Sequence, residues 1–102
     1  MINKRINNQK DIEAIKKKII PILKQYNVTK AGIFGSFARG EQKRRSDVDI
    51  LAEIDEKYSL LDVIGIKLQL EKAIKRKVDL VEYALIKKEI KENILNDEIR
   101  VI

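Results

Sequence analysis

The chain has no cysteine, no histidine and a single proline among its 102 residues, and only 5% of it is aromatic. Without thiols or imidazoles it can offer neither a cysteine nucleophile nor a Ser-His pair, and it cannot build an ordinary zinc site. Any catalysis is confined to carboxylates, hydroxyls, Lys or Arg, backbone amides and a hard metal ion. No apolar run approaches the roughly 20 residues of a membrane span, and the opening residues MINKRINNQK carry no apolar core of a signal peptide. The expected location is the cytoplasm, with no membrane partner. Few aromatic rings are available to stack on bases and no nucleic-acid-binding motif occurs, so charge alone would have to carry a nucleic-acid role.

What is plentiful is aliphatic bulk and charge. Apolar residues make up 44% of the chain and charged residues 37%, the balance of a globular domain with a densely charged surface. The length suits one domain over residues 1–102 with one core. A net charge of +6, from 22 Lys and Arg against 16 Asp and Glu, points to an anionic partner such as a nucleotide, a nucleic acid or an acidic protein. The same composition also arises in biased genomes and heat-adapted proteins. No repeat, low-complexity tract or linker interrupts the chain.

Residues 11–24 place Ile12, Ile15, Ile19, Ile22 and Leu23 on one helical face, with Lys16, Lys17, Lys18 and Lys24 mostly turned to water. Pro21 lacks an amide hydrogen and crowds the carbonyl four residues earlier, which predicts a bend or a restart there. KAGIF, residues 30–34, reads as a buried strand ended by Gly35. Residues 48–54 alternate: Val48, Ile50, Ala52 and Ile54 share one face, and Asp47, Asp49, Leu51 and Glu53 share the other. Ser59 with Asp62 resembles a capping box opening a helix to about residue 75. KVDLVE, residues 77–82, is a third strand, and residues 86–95 form a last helix with Asn96 as its stop. The order α-β-β-α-β-α with short connections predicts an α/β (α+β) fold, a small mixed sheet flanked by helices.

The chemistry concentrates in GIFGSFARGEQKRRSDVDIL, residues 32–51. Gly35-Ser36 after a strand is either a plain turn or a phosphate grip, in which the glycine admits the backbone and the serine offers amide and hydroxyl at the start of a short helix. It matches neither a Walker loop nor the three-glycine dinucleotide fingerprint. Asp47 and Asp49 are either the wet face of an edge strand or two carboxylates aimed the same way, which repel unless a cation joins them. A pair of magnesium ions about 4 Å apart would resolve that conflict and hold a nucleotide's phosphates. Asp79, set between Val78 and Leu80 in a strand that reads as buried, is the candidate third acid; the alternative is a strand-end Asp satisfied by Arg76 or Lys77. Arg39, three residues after Ser36, either forks onto a phosphate or forms a surface salt bridge. Lys43, Arg44 and Arg45 are a solvated run or an attractor for ATP or an acidic partner. Glu53 lies too far along its strand, and Glu82 falls on the opposite face from Asp79.

Gly35-Ser36, ten intervening residues and Asp47-Val48-Asp49 together resemble the GSx10DxD signature of the DNA polymerase β-like nucleotidyltransferases. The strings IFGSFARGE and RSDVDILAEI are similar to the small stand-alone branch, the minimal nucleotidyltransferase (MNT, MntA-like) antitoxins, and the likeness covers almost the whole chain. The resemblance implies that Gly35 and Ser36 hold phosphates, that Asp47 and Asp49 bind two magnesium ions, and that Asp79 completes the acid set and helps activate an attacking hydroxyl. It implies an enzyme that transfers AMP from ATP to a tyrosine of a HEPN-domain toxin, as the antitoxin of a type VII toxin-antitoxin pair. An antitoxin acting by binding alone, or a nucleotidyltransferase with another acceptor, are the alternatives. A chain this short leaves its acceptor to be positioned by another chain or by a second copy, as a hetero- or homo-oligomer.

Overall fold

The computed structural model describes residues 4–43 and 46–102, running as α1 (Lys4–Gln25), β1 (Ala31–Phe34), α2 (Gly35–Arg39), β2 (Val48–Ala52), α3 (Leu60–Ile74), β3 (Val78–Glu82), a 3-10 turn (Tyr83–Leu85), α4 (Lys88–Asp97) and β4 (Ile99–Arg100). The strands form one mixed sheet in the order β3-β2-β1-β4. β1 is antiparallel to both β2 and β4, while β2 and β3 are parallel. A parallel pair requires a crossover, and α3 provides it. The α/β class and the helix-flanked mixed sheet agree with the sequence reading; β4 is an addition, since two residues are too few to display alternation.

Period-2 alternation sorts the sheet into two faces. Ile33, Val48, Ile50 and Ala52 turn to one face and are fully buried there in a cluster with Ile19 and Leu23 of α1 and Ile66 and Leu70 of α3. Burying each such large aliphatic side chain contributes roughly 1.5–3 kcal/mol, so this face carries most of the folding energy. Asp49 and Asp79 alternate onto the other face.

α1 runs unbroken from Lys4 to Gln25 with Pro21 inside it, which corrects the expected restart. Pro21 and Lys17, whose carbonyl loses its helical partner, are both exposed, so water can satisfy the freed oxygen. Ile19 and Leu23, fully buried on either side of Pro21, anchor the helix through it. α1 also begins before residue 11, and α4 begins at Lys88 and ends at Asp97, past Asn96. The capping box is present: the Asp62 amide donates to Ser59 Oγ at 3.2 Å and the Ser59 amide to Asp62 Oδ2 at 2.9 Å, a device worth about 1 kcal/mol.

The 3-10 turn and the α4–β4 corner meet beside the open face. The Tyr83 hydroxyl donates to Glu98 Oε2, and Lys30 Nζ lies 4.3 Å from the centre of the Tyr83 ring. Burial, then the bond to Glu98, pushes the Tyr83 hydroxyl pKa up, so it stays a donor. Glu98 occupies the space where a Cβ on Gly32 would stand. Only glycine lets that carboxylate reach Tyr83 across β1.

Candidate active site

Sheet register assembles the acids. Asp49 pairs with Phe34 on β1, so the strand ending in Gly35 delivers the glycine to the side of Asp49. Asp49 also pairs with Asp79 across the parallel ladder, which places the two Cα atoms on strands about 4.8 Å apart. Asp47, two residues before Asp49, joins them on the same side by strand alternation.

Gly35 is required twice over. Its φ of 72° lies in the left-handed region, and a Cβ there would collide with Asp49 Oδ2. The backbone at the β1–α2 junction and the Asp49 carboxylate are therefore in direct contact across the sheet edge, joining Gly35-Ser36 and Asp47-Asp49 into one locus. Phe34 occupies the N-cap of α2 and has no side-chain acceptor to cap the helix. Phe37, fully buried, pins α2 to the core, and Gly40 at φ 73° closes it, with the Glu41 amide donating to the Ser36 carbonyl at 2.8 Å.

The electrostatics are those of anions held together. Asp49 is half-buried, and its pKa is pushed up to about 6, first by burial, then by the charges of Asp79 and Asp47, with Arg39 pulling weakly the other way. Asp47 and Asp79 are exposed. The sequence argument for Asp79 rested on burial, and that premise is corrected: an exposed carboxylate bears no such desolvation cost. Register places it beside Asp49. Arg76 donates to the Ser46 carbonyl at 3.4 Å and stacks 5.2 Å from the Phe37 ring centre, bracing the approach to Asp47.

Arg39 does not present an open fork. Nε donates to Glu41 Oε1 at 3.0 Å and Nη1 to Asp97 Oδ2 at 3.1 Å, and these bonds raise the Arg39 pKa. The salt-bridge alternative describes its geometry, although its charge is still felt at Asp49. Glu41 and Asp97 were not singled out in the sequence; Asp97 lies 58 residues from Arg39, and no local pattern links them. Lys43 is exposed, with its amide on Ser46 Oγ at 2.6 Å, while Arg44 and Arg45 lie outside the described residues.

Among the described residues no three acids are already drawn into a closed metal cage. Magnesium does not require one, since it commonly takes one or two carboxylates and completes its shell with water and substrate phosphates. The donor set suits such an ion: hard oxygen ligands, mutually repelling, one of them with its pKa raised first by burial and then by its acidic neighbours.

The family model described as Polymerase beta, Nucleotidyltransferase matches residues 17–102. A candidate protein adenylyltransferase of Methanocaldococcus jannaschii is 47% identical over 92 residues, covering 90% of this chain and 99% of that protein. Protein adenylyltransferase MntA of Thermococcus cleftensis is 39% identical over 77 residues, 76% of this chain and 78% of that protein. Among solved structures, a toxin-antitoxin crystal structure with AMP-PNP aligns with a TM-score of 0.76 at 22% identity, over 85% of this chain and 72% of that one. A complex of a tri-AMPylated Shewanella oneidensis HEPN toxin with its MNT antitoxin aligns with a TM-score of 0.70 at 17% identity, over 88% and 71% of the two chains. At these identities the two structures establish a shared fold.

Proposed function

This chain belongs to the polymerase β nucleotidyltransferase family and is an enzyme of that class, and from that premise we propose that it transfers AMP from ATP to a tyrosine hydroxyl of a HEPN-domain toxin, acting as the antitoxin of a type VII pair. The observation that carries the reading is the contact between Gly35 and the Asp49 carboxylate, which makes the grip and the acids one site. The named relatives support adenylyl transfer, and the solved toxin-antitoxin complexes, sharing this fold, support a HEPN partner.

In the proposed reaction a bond forms between the tyrosine oxygen and the α-phosphorus, the bond from that phosphorus to the β-phosphate oxygen breaks, and pyrophosphate leaves. Gly35 admits the triphosphate against the backbone, and Ser36 holds it through amide and hydroxyl. Asp47, Asp49 and Asp79 would hold magnesium ions, which when bound neutralise the triphosphate and its developing charge. Asp79, exposed on the open face, receives the proton of the attacking hydroxyl. Arg39 adds positive field at the phosphate end while Glu41 and Asp97 hold it. Such a displacement depends on positioning and charge neutralisation, for which carboxylates suffice without histidine or cysteine.

Incubation with labelled ATP, magnesium and a HEPN partner should label the partner, and the Asp47→Asn, Asp49→Asn double variant should abolish labelling. Labelling that survived would remove the acids from the mechanism. Toxin neutralisation that persisted in cells without labelling would make binding sufficient and the transfer dispensable.

A further inference from the structure

α2 has little of its own to hold it in place. It is five residues long, it has no side-chain N-cap, and a glycine in the left-handed region stands at each end, Gly35 at φ 72° and Gly40 at φ 73°. A helix this short is not stable by itself. Phe37, fully buried, fixes only the side turned to the core. Arg39, two residues on, points to nearly the opposite side, which it shares with Ser36 three residues before it. Whatever holds Arg39 therefore decides where Ser36 stands.

The two carboxylates on Arg39 differ in what they are attached to. Glu41 lies two residues further along the same segment, its amide donates to the Ser36 carbonyl, and it travels with α2 whatever its side chain does. Asp97 comes from the end of α4, 58 residues away, and its side chain is 35% exposed against 63% for Glu41. Its footing is the sheet. Ile99, two residues on, pairs with Ile33, which stands two residues before Gly35. Glu98, between Asp97 and Ile99, accepts from the Tyr83 hydroxyl and lies over Gly32. The 3.1 Å bond from Arg39 to Asp97 thus closes a ring that runs through α2, β1, β4 and the end of α4. No side chain of α4 is buried, so β4 and these polar contacts set where its last residue stands.

We propose that Asp97 is a positioning residue for the nucleotide: through Arg39 it fixes α2, and with it Ser36, beside Asp49. This deepens the reading of Gly35-Ser36 as the phosphate grip and rests on it. Charge alone gives the opposite expectation. An acid beside the grip repels a triphosphate, so its removal would tighten ATP binding. Positioning predicts that removing Asp97 loosens it.

Calorimetric titration of the full chain with ATP in excess magnesium separates the two. Asp97→Ala should weaken ATP binding about three- to fivefold, the scale of one exposed ion pair, and Asp97→Glu should recover most of the loss. Glu41→Ala removes the same charge from the same arginine without cutting the ring, and should tighten binding. In an Arg39→Gln background Asp97→Ala should no longer weaken it, because the effect passes through Arg39. Amide hydrogen exchange reads the helix without any nucleotide: in Asp97→Ala the Glu41 amide, bonded to the Ser36 carbonyl, should exchange about three- to fivefold faster. The Val48 amide, bonded to the Lys77 carbonyl at 2.9 Å, should not change. Asp97→Ala and Glu41→Ala shifting ATP affinity the same way, a loss that persists in Arg39→Gln, or a Glu41 amide no faster in Asp97→Ala would overturn the proposal. A wild type that binds no ATP would overturn the phosphate-grip reading instead, and the exchange comparison would still decide whether Asp97 fixes α2.

Discussion

The two faces of the sheet follow opposite rules. The helix-covered face gathers Ile33, Val48, Ile50 and Ala52 into a dry cluster with α1 and α3, where every contact favours folding. The other face buries Leu51 and gathers Asp47, Asp49 and Asp79, where burial first and then the repulsion of Asp79 and Asp47 lift the Asp49 pKa to about 6. One strand, β2, serves both at once, because alternate residues point opposite ways. Stability and chemistry are thus separated by a single residue step, and substitutions along β2 should separate them experimentally.

The largest contrast is expected in activity. Asp49→Asn should lower adenylyl transfer by more than about 1,000-fold, equal to about 4 kcal/mol of transition-state stabilisation, while leaving the fold intact by circular dichroism. Its neighbour Ile50→Ala should do the reverse, costing about 2–5 kcal/mol of stability in a urea melt while the residual folded protein transfers at a near-normal rate. Gly35→Ala breaks the separation, because its Cβ would push on Asp49 from a backbone position unfavourable for alanine; about 1–3 kcal/mol of stability and measurable nucleotide binding should be lost together.

A subtler effect has the opposite sign. The folded-state pKa of Asp49 is raised from 3.8 to about 6, so the folded chain holds this proton more tightly than the unfolded one. The group's favourable contribution is complete below pH ~4 and is lost as pH rises through ~6. Asp49→Asn should therefore stabilise the protein at pH 7.5, and the gain should fade toward pH 4. Two pKa units correspond to nearly 3 kcal/mol in full burial, and screening at this half-exposed position reduces the expected gain to about 1–2 kcal/mol. Melting temperatures of both proteins across that range check the sign. Smallest is Tyr83→Phe, which removes the hydroxyl bonded to Glu98 and should cost about 1 kcal/mol with little change in transfer.

Much of this was legible in the residues. The alternation of β2, the Ser59-Asp62 cap and the joint spacing of Gly35-Ser36 and Asp47-Asp49 are local patterns, readable because covalent connectivity already sets which neighbours share a face or a turn. Asp79 shows where such a pattern misleads: its strand reads as buried, yet the side chain is exposed, because β3 is an edge strand whose outer face the helices do not cover, and sheet register rather than burial sets it beside Asp49. Arg39 shows the complementary gap, since the residues that hold it lie both near and far in the chain and the distant Asp97 leaves no trace in its surroundings.

By itself, then, the order of residues determined the longer elements, the buried face of α1 and of β2, and the chemical inventory of carboxylates, one serine and a glycine, because propensity, periodicity and capping act over a few residues. Tertiary structure alone decided that Asp49 stands in register with Asp79, that Gly35 abuts the Asp49 carboxylate, that Arg39 is tethered to α4, and that a two-residue β4 closes the sheet. Those facts depend on which strands pair and in what register, and pairing is chosen by burial of the whole apolar face at once rather than by any stretch of sequence.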